Sequence, residues 1–197
     1  MIIGIIDYGA SNLFSLKAAF ERIGGSVKMV ESNIPYELDL LVMPGVGSFG
    51  QAASSIEHIR ESVIDFINNG GTFVGICLGL HLMFESSEEG PGRGLGLLAG
   101  QVKRIRSGKV PHMGWSETRL IENSDLWDGL KNVEYFYYAH SYFPEYFGDG
   151  IKALVDYGEK MPAMVQKGNL IGVQFHPEKS GIPGQLLLRN IINTVKK

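Results

Sequence analysis

The stretch Gly75-Ile76-Cys77-Leu78-Gly79 holds the only cysteine of the chain, at the seam of two apolar runs, 72–76 and 78–84. A strand turning sharply into a helix at this point would bring the thiol to the carboxyl edge of a sheet. Glycines at 75 and 79 suit such a corner, because both sides of it leave little room for a Cβ. A sulfur at a helix start is favoured as thiolate. The N–H of Leu78 would then face the oxyanion that forms when the sulfur attacks a carbonyl. The competing reading is a small buried hydrophobe, the common fate of a free cysteine. A base elsewhere in the chain would separate the two.

The best candidate is His176, in the stretch GVQFHPEKSG at 172–181. Val173 and Phe175 alternate with Gln174 as in a strand, and Pro177 predicts an extended path beyond the histidine. Residues two apart in extended backbone share a side, so Glu178 would brace one imidazole nitrogen while the other faces the thiol. A surface turn and a two-ligand metal site compete with this reading. His58, His81, His112 and His140 lack metal-ligand spacing, and zinc would require further Cys or His partners; neither a metal nor a cofactor is expected. The third element is MPGVGSFG at 43–50. It lacks the Lys-Ser/Thr end of a P-loop and the spacing of G-x-G-x-x-G. Its backbone N–H groups would serve an oxyanion, unless the loop is only a tight strand–helix connection.

These residues need a scaffold that alternates strands with helices. IIGIID (2–7), SVKMV (26–30), LDLLVMPG (38–45) and TFVGIC (72–77) are short apolar runs stopped by glycine or a polar residue. Between them, 11–24 repeats Leu13, Leu16, Phe20 and Ile23 at helical spacing, and 48–70 predicts one long helix. Such alternation predicts a parallel sheet covered on both faces. From about residue 95 successive strands follow with few helices between them, until a final helix over 182–197 with Pro183 near its start. The expected fold is α/β: one domain over 1–197, with a mostly parallel central sheet flanked by helices and an antiparallel extension in the second half.

Composition excludes several classes. A chain of 197 residues with 44% hydrophobic content fills one core. Net charge −3 with interspersed signs offers no footprint for nucleic acid. No apolar run approaches the ~18 residues of a membrane span, and MIIGIIDYG lacks a charged leader and cleavage site. One thiol cannot form an internal disulfide, which predicts a reducing, cytoplasmic setting.

Together, GICLG at 75–79, HPE at 176–178 and PGVGSFG at 44–50 resemble the class I glutamine amidotransferases along essentially the whole chain. The resemblance implies a Cys77-His176-Glu178 triad that hydrolyses glutamine through a thioester, with an oxyanion site formed by Gly45, Val46, Gly47 and Leu78. DYGASNLFSL (7–16), VPHMGWS (110–116) and YFYYAHSYF (135–143) are further similar to the glutaminase subunits of imidazole glycerol phosphate synthases. That implies an ammonia-accepting (β/α)8-barrel cyclase as heterodimer partner, in histidine biosynthesis. It also implies glutamine contacts from His81, Glu89, Ser141 and Tyr142, and a partner surface with Asn12, Met113, Trp115 and Lys179. Paralogues that feed ammonia to a cyclase-like partner amidating a surface sugar, and thiol acyl hydrolases or peptidases, are the alternatives.

The chain departs from the pattern at three positions. His81 stands where the family carries glutamine, Ser116 where asparagine follows the tryptophan, and Ala139 where a larger β-branched residue precedes His140. His81 lies one turn beyond Cys77 on the same face. It is expected to contact glutamine as a neutral imidazole, titrating near ~6.5 if unperturbed, unless it turns into the core.

Overall fold

The computed structural model describes residues 1–9 and 12–195. The first half alternates as expected: β1 (Ile2–Ile6), α1 (Leu13–Arg22), β2 (Ser26–Val30), β3 (Leu40–Met43), α2 (Phe49–Ser55), α3 (Arg60–Asn68), β4 (Thr72–Ile76) and α4 (Leu78–His81). The second half is mainly strand: β5 (Ser86–Ser87), β6 (Gln101–Arg104), β7 (His112–Leu120), β8 (Val133–His140), β9 (Tyr142–Glu145), β10 (Ile151–Asp156), β11 (Lys160–Lys167) and β12 (Leu170–Val173). It closes with α5 (Gly181–Val195). The predicted helix starts and ends at residues 11, 196 and 197 lie outside the described residues.

Among the described residues, a nine-stranded sheet runs in the order β2-β1-β3-β4-β12-β11-β10-β7-β8. The strands from β2 to β12 pair parallel, and those from β12 to β8 pair antiparallel. The parallel half is wrapped on both faces. Ile3, Ile5, Val42, Val74 and Ile76 pack with Leu16 and Phe20 of α1 and with Leu187, Leu188 and Ile191 of α5. Leu41, Met43 and Phe73 pack on the other side with Phe49 and Ala52 of α2 and Val63 of α3. Alternate residues of one strand are therefore both buried, which is why these strands read as unbroken apolar runs. A small second sheet, β5-β6-β9, was not foreseen.

The expected single helix over 48–70 is broken. A 3-10 turn at Glu57–Ile59 separates α2 from α3. Ile56, Ile59 and Val63 are all fully buried, so helical apolar spacing runs straight through the break. Periodicity alone could not reveal it.

β8 forms one edge of the large sheet. Its Tyr137 backbone points away from β7: the N–H donates to Ser180 Oγ at 3.0 Å, and the carbonyl accepts the His176 N–H at 2.8 Å. The turn that carries His176 is thereby fastened to the sheet edge, beside the ends of β4 and β12.

Candidate active site

Cys77 occupies the corner between β4 and α4 with φ 51° and ψ −105°, a left-handed conformation that a side chain rarely adopts. The flanking glycines are required by close approach. A Cβ at Gly75 would stand 2.6 Å from the Gly79 carbonyl oxygen, and one at Gly79 would collide with the Met43 carbonyl of β3. The Cys77 N–H is held by the Val173 carbonyl at 2.8 Å. The expected corner is present, but α4 is only four residues long. One turn supplies little of a helix dipole, so stabilising a thiolate here falls to side chains.

His176 provides one. Its Nδ1 lies 3.0 Å from Glu178 Oε1, and both side chains are nearly fully buried. The geometry differs from the extended one expected from Pro177. His176 is extended, but Pro177–Lys179 form a 3-10 turn, and this turn folds Glu178 back to the imidazole. Ser180 Oγ donates to the His176 carbonyl at 2.6 Å and locks it. His176 Nε2 is buried with no hydrogen-bond partner among the described residues. Burial opposes a charged imidazole, but the neighbouring Cys77, followed by Glu178, outweighs it and raises the pKa to about 10. His176 is thus held toward the imidazolium by the sulfur beside it and by Glu178 on its other nitrogen.

A cavity of about 180 Å³ opens over the sulfur, lined by Gly45, Val46, Gly47, Cys77, Leu78, His81, Glu89, Ser141 and Tyr142, together with Pro111, Met113, Ala139 and His140. The four residues expected at the oxyanion and the four expected at the substrate all meet here. In the 44–47 loop, Gly47 has φ 125°. Gly45 packs against Leu78 with no room for a Cβ, which would lie 2.5 Å from the Leu78 Cβ. Tyr8 donates its hydroxyl to the Pro44 carbonyl and anchors this loop. Burial, and then the charge of Cys77, push the Tyr8 phenol up, so it keeps its proton. Glu89 accepts the Phe49 N–H at 2.8 Å, pinning the start of α2 to the pocket; burial raises its pKa.

His81 lines the cavity, but its Nε2 lies 2.9 Å from Gln174 Oε1. Burial lowers its pKa to about 4, against weaker hydrogen bonds to Gln174 and the Tyr142 backbone. Burial thus removes the unperturbed condition on which a titration near neutrality was expected, and His81 is uncharged from pH 6 to 8.

The residues expected at a partner surface divide. Met113 is 64% and Trp115 55% exposed, and Lys179 Nζ stands 5.9 Å from the centre of the Tyr137 ring, which also meets Trp115 edge-on. Asn12, by contrast, reaches inward and donates to Glu178 Oε1 at 2.9 Å. Sequence reasoning missed that role, and also Gln174, whose amide nitrogen lies 3.7 Å from Cys77 Sγ. It missed a buried hydrogen-bond chain as well: Ser116 Oγ to His112 Nε2 at 2.7 Å, His112 Nδ1 to His140 Nε2 at 3.0 Å, and His140 Nδ1 to the Tyr142 carbonyl at 2.8 Å. Burial lowers the pKa of His112 to about 4 and of His140 to about 3, so both are neutral links.

A family model described as "Glutamine amidotransferase class-I" matches residues 4–194. The imidazole glycerol phosphate synthase subunit HisH of Methanothermobacter thermautotrophicus is 44% identical over 198 residues, spanning 99% of this chain and 100% of that protein. Its counterpart in Methanocaldococcus jannaschii is 38% identical, spanning 97% and 98%. Among solved structures, PurLQS from Thermotoga maritima has a chain with a TM-score of 0.81 at 20% identity, covering 98% of each chain, a likeness of fold.

Proposed function

The chain belongs to the class-I glutamine amidotransferases, and from that premise we propose that it is a glutaminase subunit. In this reading it frees ammonia from glutamine through a Cys77 thioester and passes it to a cyclase that forms imidazole glycerol phosphate in histidine biosynthesis. The observation that carries the chemistry is the buried, unpartnered Nε2 of His176 beside Cys77, on an imidazole whose Nδ1 is braced by Glu178. The names and whole-length identities of the two relatives support this acceptor over a surface sugar, and glutamine over a peptide or ester. A sheet that runs unbroken from the first half into the second supports one functional unit.

The steps follow from the geometry. The Cys77 thiolate attacks the side-chain carbonyl carbon of glutamine, and the N–H of Leu78 with one from the 45–47 loop receives the oxyanion. The His176 imidazolium gives its proton to the departing nitrogen, the C–N bond breaks, and ammonia leaves a thioester. Neutral His176 then takes a proton from water as the water attacks the thioester, and glutamate departs as the thiolate re-forms. Cys77 and His176 are the catalytic residues, and Glu178 is a positioning residue. We place the reaction in the cytoplasm, where the thiol stays reduced. Among the described residues, no helix is long and apolar enough to cross a membrane.

Glutamate release from glutamine by the purified chain tests the activity, and the absence of release with and without a (β/α)8 cyclase overturns it. Release is expected to be slow alone and about 10²–10³ faster in the complex, the worth of one oxyanion donor. Gly47, already at positive φ, lets the loop re-aim such a donor. Equal rates alone and in complex would refute the coupling.

The exposed Met113–Trp115 surface, which reaches the cavity rim through Met113, supports docking of the cyclase here. Trp115→Ala is expected to weaken association at least about tenfold, since buried interface aromatics commonly dominate binding. Alkylation of Cys77 by iodoacetamide in the isolated chain should be unchanged. Binding at wild-type strength, measured by titration calorimetry, would move the interface elsewhere.

A further inference from the structure

One buried side chain outside the triad reaches the sulfur, and a second holds that side chain. Gln174 is fully buried at the end of β12, with its amide nitrogen 3.7 Å from Cys77 Sγ and its amide oxygen 2.9 Å from His81 Nε2. We propose that Gln174 is a further catalytic residue, donating an N–H to the Cys77 sulfur, and that His81 is the positioning residue that holds the amide in that orientation.

An amide oxygen only accepts hydrogen bonds, so a 2.9 Å contact with it places a proton on His81 Nε2. A neutral imidazole carries one proton, and here it is used on Gln174. The Tyr142 carbonyl takes the His140 Nδ1–H at 2.8 Å, and a bond from His81 Nδ1 to its second lone pair would require the other tautomer, whose Nε2 has no proton for Gln174 Oε1. With Oε1 held, the amide NH2 must face the sulfur. Rotated by half a turn, the amide would press an oxygen lone pair against a thiolate. The short α4 leaves the thiolate little help from a helix dipole, and His176 lends only one side. Gln174 supplies a donor from another element, through sulfur ionisation, attack and re-expulsion of the thiolate from the thioester. His81 therefore acts through Gln174, rather than by holding the substrate as the family's usual glutamine was expected to do. The proposal rests on the glutaminase reading for its catalytic meaning, but not for its test.

The test is alkylation of Cys77 by iodoacetamide, a neutral reagent that reports thiolate with no substrate present. Gln174→Met, which keeps the volume and removes the donor, and His81→Phe are each expected to slow alkylation at pH 7 about tenfold, the scale of one hydrogen bond to a charged group. The deficit should vanish at high pH, where all the sulfur is ionised. The double variant should be no slower than either single one, because both remove the same bond. His81→Gln keeps an N–H donor at similar reach and should restore the rate; it also serves, against His81→Phe, if Gln174→Met does not fold. In glutamine hydrolysis the loss should fall on kcat and leave KM nearly constant. Variants that alkylate like the wild type, or losses that multiply in the double variant, overturn the proposal. So does a raised KM with unchanged alkylation, which would make His81 a substrate contact. A wild-type chain that alkylates readily yet releases no glutamate removes the glutaminase reading and leaves the sulfur's donor to be judged on alkylation alone.

Discussion

Cys77→Ala abolishes glutamate release, leaving only the uncatalysed background, while the folded chain persists. Alanine keeps the Cβ, so the strained φ of 51° at the corner is no worse than in the native chain. The Cys77 N–H bond to Val173 is a backbone contact and survives. The nucleophile is lost, and with it the charge that holds His176 protonated. Burial then acts on His176 with less opposition, and its pKa should fall from about 10, visible as a moved imidazole titration in NMR. The same variant, bound to the proposed cyclase, should still support that partner's reaction when ammonia is supplied directly. Glutamine-dependent turnover near the wild-type rate in Cys77→Ala would end the thioester mechanism.

The next largest effect is expected at His176. His176→Ala removes the acid that protonates the leaving nitrogen and the base that activates water, a loss of about 10²–10⁴ in kcat. Glu178→Gln should cost far less, about tenfold. The Glu178 oxygen that accepts from His176 Nδ1 and Asn12 Nδ2 is retained by an amide oxygen, so the imidazole keeps its orientation. What goes is the negative charge, one of the causes that raise the His176 pKa. The imidazolium should then lose its proton at lower pH, and the alkaline limb of the kcat profile should move to lower pH. A loss in Glu178→Gln as large as in His176→Ala would mean that the carboxylate itself carries the proton.

The proposed triad was legible because each part is local. A glycine-flanked cysteine and a histidine two residues from a glutamate declare themselves within a few positions, and the strands that carry them are apolar runs with clear stops. The turn at 177–179 was misread as extended because Pro177 suits the first turn of a helix as well as an extended path. The break between α2 and α3 was hidden because Ile56, Ile59 and Val63 keep helical spacing across it. Asn12 and Gln174 were missed for another reason. Each meets its partner across a distance in sequence that only the folded sheet closes, Asn12 with Glu178 and Gln174 with both Cys77 and His81. His81 was noticed as a departure from pattern, but its partner and its low pKa come from burial, which a lone histidine on an apolar helix does not reveal.

The fastening of Tyr137 to the catalytic turn bears on how the molecule behaves in a crowd. β8 ends the large sheet, and an open edge rich in tyrosine is a template onto which strands of other molecules can add. At Tyr137 the outward amide and carbonyl are already taken, by Ser180 and by the His176 N–H. An incoming strand would have to displace the turn that carries the base. The same two bonds order the His176 turn and occupy this part of the sheet edge, so a chain that keeps the proposed site assembled also keeps that stretch of its edge closed.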